Sequence, residues 1–353
     1  MESITKWLQT AILRPFPEVD LAPLFGKPRG KLKLTPEALL EAIQGPALAE
    51  WALREARRFQ AARLPKGPGG RPSQYRDSSI LLMAVVQTLW HKSYEAIIDL
   101  VATRPSLAHA LGFGERTISQ GQYWERRKQL GVLPFLFFFL ALVAQLVRLG
   151  VITGTGLIVD SSLLSAWRTD DPGARWQKYA GKKAVFGYKV HTVLCAQSDL
   201  PVFMLFTPAH PHDSQVGWFV VLMAAWLFRF SVQVVYADAA YFDWRMFKVV
   251  HDILHAHPAV HYNPRRKGKR QLATLFFLEQ WQRLVTAPRT AIERHFAWAK
   301  RYFGLKDFQC FTLLRVMQFA LLVYIAILAV ALAATRYQRP ELRRSRSMVI
   351  AHL

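Results

Sequence analysis

Asp160 stands where the apolar run "LIVD" gives way to "SSL", and Asp238 where "VVYAD" gives way to "AAY". A carboxylate at the end of a buried strand is costly unless it is paired, hydrogen-bonded or bound to a metal. A third acid, Glu293, lies in "RTAIERHFAWAK" between Arg289 and Lys300. On a helix these three side chains project within roughly 40° of one another, giving a basic, acidic, basic stripe. Ile292, Phe296, Ala299 and Phe303 recur on another face at the spacing of a core-facing seam. Converging carboxylates suit Mg²⁺ or Mn²⁺, and two such ions can activate a water or 3′-hydroxyl against a phosphodiester. The plain alternatives are an Arg289–Glu293 surface ion pair and two aspartates that cap or turn the chain.

Glu293 reaches the aspartates only if its helix packs back onto their sheet, so the surrounding elements decide. From Gly154 the texture is that of strands: "GLIVDSSLLSAW", "GYKVHTVLCA" and "PVFMLFTPA" read as three consecutive strands, the last two joined by the turn "QSDL". A helix opens at Asp213, whose side chain is placed to cap it; a fourth strand starts near Val232. A helix from Asp243, a short fifth strand in "AVHYNP" and the helix bearing Glu293 follow. Three strands, helix, strand, helix, strand and late helix is the element order of an RNase H-like α/β domain. In it the first and fourth strands run side by side and parallel, which brings Asp160 and Asp238 together.

Upstream, "LTPEALLEAI" opens a helix with Thr35 as cap and Pro36 in the first turn. "LPKGPGGRPSQYRD" is a linker. The short helical stretches "DSSILLMAVVQTLWHK", "SYEAIIDLVAT", "RPSLAHALGFG" and "TISQGQYWERRKQLG" suit a helix-turn-helix DNA-binding unit with Arg126 and Arg127 on its last helix, or a bundle that only supports the rest.

The 353 residues hold 46 Lys+Arg against 24 Asp+Glu, a net charge of +22, and 52% hydrophobic residues. Such a chain folds around a core and seeks a polyanion; it is not a disordered basic tail. Cys195 and Cys310 stand far apart, which argues against a disulfide framework or thiolate zinc site and for a reducing compartment. No secretory signal is visible at the N-terminus. The apolar runs from Val132, Val216 and Val316 are short or interrupted by Pro134, Gln145 and Gln318, so buried core helices are expected rather than membrane spans.

Other basic segments are candidate DNA contacts: Lys182, Lys183 and Lys189 near Trp176 and Tyr179, and the loop "RRKGKR" with Arg265, Arg266 and Lys267. The tail "RYQRPELRRSRS" reads as a disordered basic arm. His251, His255, His257 and His261 lack the geometry for zinc because Pro258 interrupts them. Asp170 and Asp171 read as polar-loop residues and Asp243 as a helix cap.

With these residues in place, the chain resembles bacterial insertion-sequence transposases of the DDE type over about residues 70 to 335. The resemblance rests on Asp160 in "VDSS", on "GYKVH", on "TPAHPHDS", on Asp238 in "YADAAYFD" and on "RTAIERHFAWAK", which matches the family's Arg, Glu, Lys spacing. Two departures stand out: Thr286 occupies the place of a family tyrosine, and "DSS" stands where "DST" is usual. The resemblance implies an α/β, RNase H-like mixed sheet flanked by helices and preceded by an all-α N-terminal region. The expected division is 1–65 helical, 66–150 helix-turn-helix, 151–335 catalytic and 336–353 a basic tail. Asp160, Asp238 and Glu293 would hold two Mg²⁺ or Mn²⁺ ions, while Arg289 and Lys300 would meet phosphates. The partners implied are double-stranded DNA, as terminal inverted repeats and target, and a second copy of the chain, with no membrane, in the bacterial cytoplasm near the nucleoid. A nuclease or resolvase that cuts without joining, and an inactive DNA-binding relic, are the alternatives.

Overall fold

The structure is a computed structural model and describes residues 25–26, 30–61, 74–114, 117–178, 183–261 and 279–349, with residues 61, 279–287 and 289 described by backbone alone. Two compact units emerge. One holds Val147–Arg301 and Leu305–Val316; the other holds the described part of Arg14–Leu146 together with Tyr302–Gly304 and Met317 onward.

The helical unit begins with α1 (Pro36–Ala42) and α2 (Gly45–Ala61). Thr35 caps α1 by accepting from the Ala38 amide at 3.3 Å, and Pro36 occupies the first turn, where its missing N–H costs nothing. Next come α3 (Asp77–Leu89), α4 (Tyr94–Thr103), α5 (Pro105–Ala110), α6 (Gln120–Leu130) and α7 (Leu133–Arg148). Ser119 and Gln122 form a reciprocal capping box that fixes the start of α6.

In the sheet unit, β1 (Gly156–Ser165), β2 (Arg175–Gln177), β3 (Val185–Cys195) and β4 (Leu200–Pro208) are followed by α8 (Asp213–Leu227) and β5 (Val234–Ala237). Then come α9 (Trp244–Phe247), continued as a π-helical turn over Lys248–Ile253, β6 (His257–Val260) and α10 (Glu279–Tyr302). The six strands form one sheet ordered β2-β3-β1-β5-β6, with β4 also on β3. The β1/β3 and β3/β4 pairs are antiparallel, whereas β1/β5 and β5/β6 are parallel. This is the RNase H-like arrangement expected. Leu157, Ile158 and Val159 are fully buried because β1 lies inside the sheet with strands on both sides.

Four details differ from the sequence expectation. The short strand β2 was not foreseen, since three residues carry too little periodicity to read. The fifth strand starts at His257, two residues earlier than "AVHYNP". Asp213 does not cap α8; His212 does, its Nδ1 accepting from the Ser214 amide at 3.2 Å, which leaves the Asp213 carboxylate for other partners. Nor is the basic tail a loose arm through Val349. Arg346 donates to the Leu89 carbonyl at 3.2 Å, Arg339 to the Gly30 carbonyl at 2.8 Å, and Met348 and Val349 are buried beside the Leu34–Val349 bridge.

Helix α11 (Leu313–Arg336) is long and apolar enough to cross a bilayer by length and composition, yet 83% of its most apolar window is buried in the protein. Within the helical unit its Gln318 amide donates to the carbonyls of Arg127 (3.0 Å) and Gly131 (2.7 Å). Those are the contacts of a core helix.

Candidate active site

Strand pairing sets the first two acids side by side. The parallel β1/β5 ladder runs to Val159 opposite Ala237, so Asp160 and Asp238 are the next residues on two adjacent strands. Both are half-buried. Each carboxylate is oriented by the backbone just after it: Asp160 accepts from the Ser161 amide at 2.7 Å, and Asp238 from the Ala240 amide at 2.9 Å. The second bond caps a single turn, Ala239–Tyr241, which returns the Tyr241 side chain toward the acids.

Tyr241 is fully buried under Gly217 of α8. Burial holds its phenol well above the ordinary value, and the carboxylates of Asp160, Asp213 and Asp238 push it further the same way. It therefore stays a neutral hydroxyl facing three acids.

The third of these, Asp213, was not a site candidate from sequence. Its Oδ1 accepts from Ser161 Oγ at 2.8 Å and from Lys189 Nζ at 3.0 Å, and lies 3.8 Å from His191 Nδ1. Lys189 donates also to the Pro211 carbonyl at 2.8 Å and is 1% exposed. This corrects the expectation that Lys189 meets DNA: its ammonium is spent inside the protein. Burial pushes the His191 imidazole down to about 4, with Asp213 pulling it up and Lys189 pressing it down. The sequence held a signal for this cluster. Lys189 and His191, two apart, share one face of an otherwise apolar strand, so a buried cation there needed an acid from elsewhere.

Glu293 sits exposed on α10. The expected seam is buried: Ile292 and Ala299 are 0% exposed and Phe296 7%. The helix is tied to the sheet unit where Arg294 reaches Asp199 in the β3–β4 turn (3.5 Å) and where Lys300 donates to the Leu163 carbonyl of β1 (3.3 Å). Burial, and then Lys306, hold the Lys300 ammonium below its ordinary value. Among the described residues no three His, Cys, Asp or Glu side chains lie close enough to enclose a metal ion. Two carboxylates on neighbouring strands, Asp160 midway along β1 and Asp238 just past β5, are nonetheless the hard oxygen donors that Mg²⁺ or Mn²⁺ prefers, and the Asp160–Asp238 pair fits such an ion.

The remaining candidates scatter. Lys183 is exposed, and Trp176 is 63% exposed with its ring against Phe186 at 5.3 Å. Lys182, Arg265, Arg266 and Lys267 lie outside the described residues, as does the side chain of Arg289. Arg126 is ion-paired with Asp77. Arg127 is a further correction: it is buried, donating to Gln87 Oε1 (2.9 Å) and to the Tyr94 hydroxyl (3.1 Å), and so builds the helical core instead of facing DNA. Asp171 lies in a loop as its reading has it, but is not a solvated one. It is buried and accepts from the Gly173 amide (2.9 Å) and the Thr312 amide (3.1 Å), closing the loop after β1. Asp243 caps α9 as expected, accepting from Arg245 at 3.0 Å.

Comparison with curated proteins returns no match. Among solved structures, the piggyBac transposase in a synaptic complex with hairpin DNA is similar at a TM-score of 0.48 and 9% identity, covering 88% of this chain and 79% of that one. The Mos1 transposase in a paired-end complex with its left transposon end gives a TM-score of 0.21 and 13% identity, covering 71% and 87%. A family model described as the transposase DDE domain matches residues 153–329. That match takes in just over half of the chain and encloses Asp160, Asp238 and Glu293, and the chain belongs to the transposase DDE-domain family.

Proposed function

We propose that this chain binds the ends of a DNA element, cleaves there with an activated water and joins the freed 3′-hydroxyl to target DNA. The observation that carries the reading is the β1/β5 register, which sets the Asp160 and Asp238 carboxylates next to each other inside a family whose members are transposases. Asp160 and Asp238, with Glu293 supplied from α10, would hold Mg²⁺ or Mn²⁺, as one ion or two. A cation so held supplies charge neutralisation at the phosphodiester and activation of the attacking oxygen.

The chain's own groups do the rest. The neutral Tyr241 phenol, faced by the acids, walls off their inner side and keeps water out of it. Arg289 and Lys300, four positions before and seven after Glu293 in α10, would offer cations to the phosphates on either side of the scissile bond. In the sheet unit, exposed Lys183 beside the Trp176 strand offers a further cation. In the helical unit, Lys128 of α6 lies 5.0 Å from the centre of the Trp124 ring, an exposed cation–aromatic pair suited to a DNA backbone. The net charge of +22 supports a polyanionic substrate. Joining requires two ends held together, which supports a pair of chains on DNA.

The test uses purified protein, an end-bearing DNA fragment and supercoiled plasmid with Mg²⁺ or Mn²⁺. Joining of 3′ ends by the wild type, lost in Asp160→Asn, Asp238→Asn and Glu293→Gln, is the expected result. Cleavage without joining identifies a nuclease, and tight binding with neither activity identifies a DNA-binding relic. A single chain holding both ends in a mass measurement of the complex excludes the dimer.

A further inference from the structure

Asp213 lies outside the proposed metal-ligand set, yet its carboxylate is committed to internal partners beside that set. Its Oδ1 takes the Ser161 hydroxyl at 2.8 Å and the Lys189 ammonium at 3.0 Å, and the carboxylate is 7% exposed as a residue. Ser161 is the residue whose amide holds Asp160 Oδ1 at 2.7 Å. A continuous chain therefore runs from Lys189 through Asp213 and Ser161 to Asp160, every link a hydrogen bond. Its far end is anchored twice, because Lys189 is fixed by the Pro211 carbonyl at 2.8 Å as well as by Asp213. The β1/β3 ladder, which pairs Ser161 with His191 and Leu163 with Lys189, brings the strands into register for it.

We infer that Asp213 is a positioning residue for the reaction proposed above: by accepting the Ser161 hydroxyl it locks Ser161, whose amide in turn fixes the Asp160 carboxylate toward the site. Lys189 has a separate duty. It balances the Asp213 charge, so that a carboxylate can sit beside the Asp160–Asp238 pair without adding a third uncompensated anion there. Half an ångström of freedom at a metal-binding carboxylate is costly to a reaction that depends on alignment. What Ser161 needs from position 213 is an acceptor oxygen; the negative charge is needed only because Lys189 is there.

That division makes the proposal separable from a role in packing alone. Replacing Asp213 by itself strands the Lys189 ammonium in the interior and risks misfolding, so the test changes both. Asp213→Asn with Lys189→Met removes both charges and keeps an acceptor for Ser161. Asp213→Leu with Lys189→Met removes the charges and the acceptor with a side chain of the same branching and heavy-atom count. Melting temperature, binding of Mn²⁺ alone by electron spin resonance, end-DNA affinity and single-turnover cleavage rate are measured on the full chain for each.

The expected result is that both double variants fold and bind end DNA like the wild type. The Asn/Met protein cleaves within a few-fold of wild type, whereas the Leu/Met protein cleaves about 100-fold more slowly and binds Mn²⁺ about tenfold more weakly. Equal rates and equal Mn²⁺ affinity in the two double variants would overturn the positioning role and leave the transposase reading standing. The proposal rests on that reading, so a wild type that binds end DNA but never cleaves it, with any divalent cation, would sink both. Should the Leu/Met protein fail to fold, Ser161→Ala takes its place, removing the same link from the other side, and a wild-type rate and Mn²⁺ affinity in that variant would overturn the proposal.

Discussion

Gly217 of α8 lies against the ring of Tyr241 so closely that a Cβ at position 217 would overlap its Cδ1 and Cε1 atoms. Glycine is otherwise a poor choice in the middle of a helix, costing about 1 kcal/mol relative to alanine. Its presence is explained by the ring, which must pass beneath the helix to bring the phenol to the acids. Gly217→Ala gains helix propensity and loses more through overpacking, for which a typical cost is about 1–3 kcal/mol. The variant is expected to melt at a lower temperature and to bind Mn²⁺ more weakly, because a displaced Tyr241 disturbs the phenol that Asp160, Asp213 and Asp238 face. A variant that melts higher than wild type would show that the ring has room to move.

His191 predicts how the metal-free fold responds to acid. The imidazole is fully buried, held by burial to about 4, with Lys189 on its own strand, Asp213 from α8, and Thr207 of β4 accepting or donating at 3.2 Å. A histidine in the unfolded chain titrates near its ordinary value of about 6.5. Because the folded value is the lower one, the unfolded state takes up the proton first as pH falls. The associated stability is complete above about pH 6.5 and is lost progressively toward pH 4. Between pH 7.5 and pH 5 the loss from this residue is about 2 kcal/mol. Urea unfolding in the presence of a chelator at those two values, compared with His191→Gln, checks it: the variant should lose less over the same interval. An equal loss would mean the acid sensitivity lies in other groups.

The longer strands were legible in the sequence because each alternates or ends on a turn signal, whereas the three residues of β2 were not; Asp160 midway along β1 and Asp238 just past β5 are acids that no apolar strand carries without reason. The seam Ile292, Phe296, Ala299 was legible for the same kind of reason, a clean helical period. The Asp213 cluster was legible only in half: Lys189 and His191 on one face of an apolar strand call for an acid, and nothing local says which acid answers. An aspartate two residues past a proline, at the head of a helix, has the local signature of a cap, and only the tertiary fold reveals that His212 takes the cap and frees the carboxylate for Lys189, 24 positions earlier. Lys189 misled because it follows Lys182 and Lys183 within one segment, and a lysine grouped with them reads as surface until an acid is seen to close over it. Arg346 and Arg339 in the tail were equally opaque, since their acceptors are backbone carbonyls that no composition announces.

Arg127 tests whether basic residues on α6 serve the core or the cargo. Its guanidinium donates to Gln87 and Tyr94, with the Tyr94 ring centre 5.6 Å away, and Gln87 Oε1 also accepts from Tyr123 at 2.9 Å. Arg127→Ala leaves a void among buried polar groups, and losing buried hydrogen bonds of this kind costs about 1–3 kcal/mol. Stability should fall by that amount while the dependence of DNA affinity on salt stays as in the wild type. A shallower salt dependence at unchanged stability would return Arg127 to the DNA surface.

Lys300 is the opposite case, and the same pair of measurements separates it. Among the described residues the ammonium is tied to the sheet through the Leu163 carbonyl at 3.3 Å, a long bond that a phosphate oxygen can outcompete. Burial has already lowered its affinity for a proton, so a nearby anion stabilises the charged form and gains from doing so. Lys300→Met keeps the aliphatic stem against α10's neighbours and removes the charge. Stability should change by less than about 1 kcal/mol, while the slope of log affinity for end DNA against log salt should become shallower by about 0.9, the share of one phosphate contact. Because α10 also carries Glu293, the third acid of the proposed site, the cleavage rate at saturating DNA should fall as well once the helix loses its contact with β1. An unchanged slope with a clear loss of stability would make Lys300 a tether between α10 and β1, and would remove the basic side of the Glu293 stripe from the DNA path.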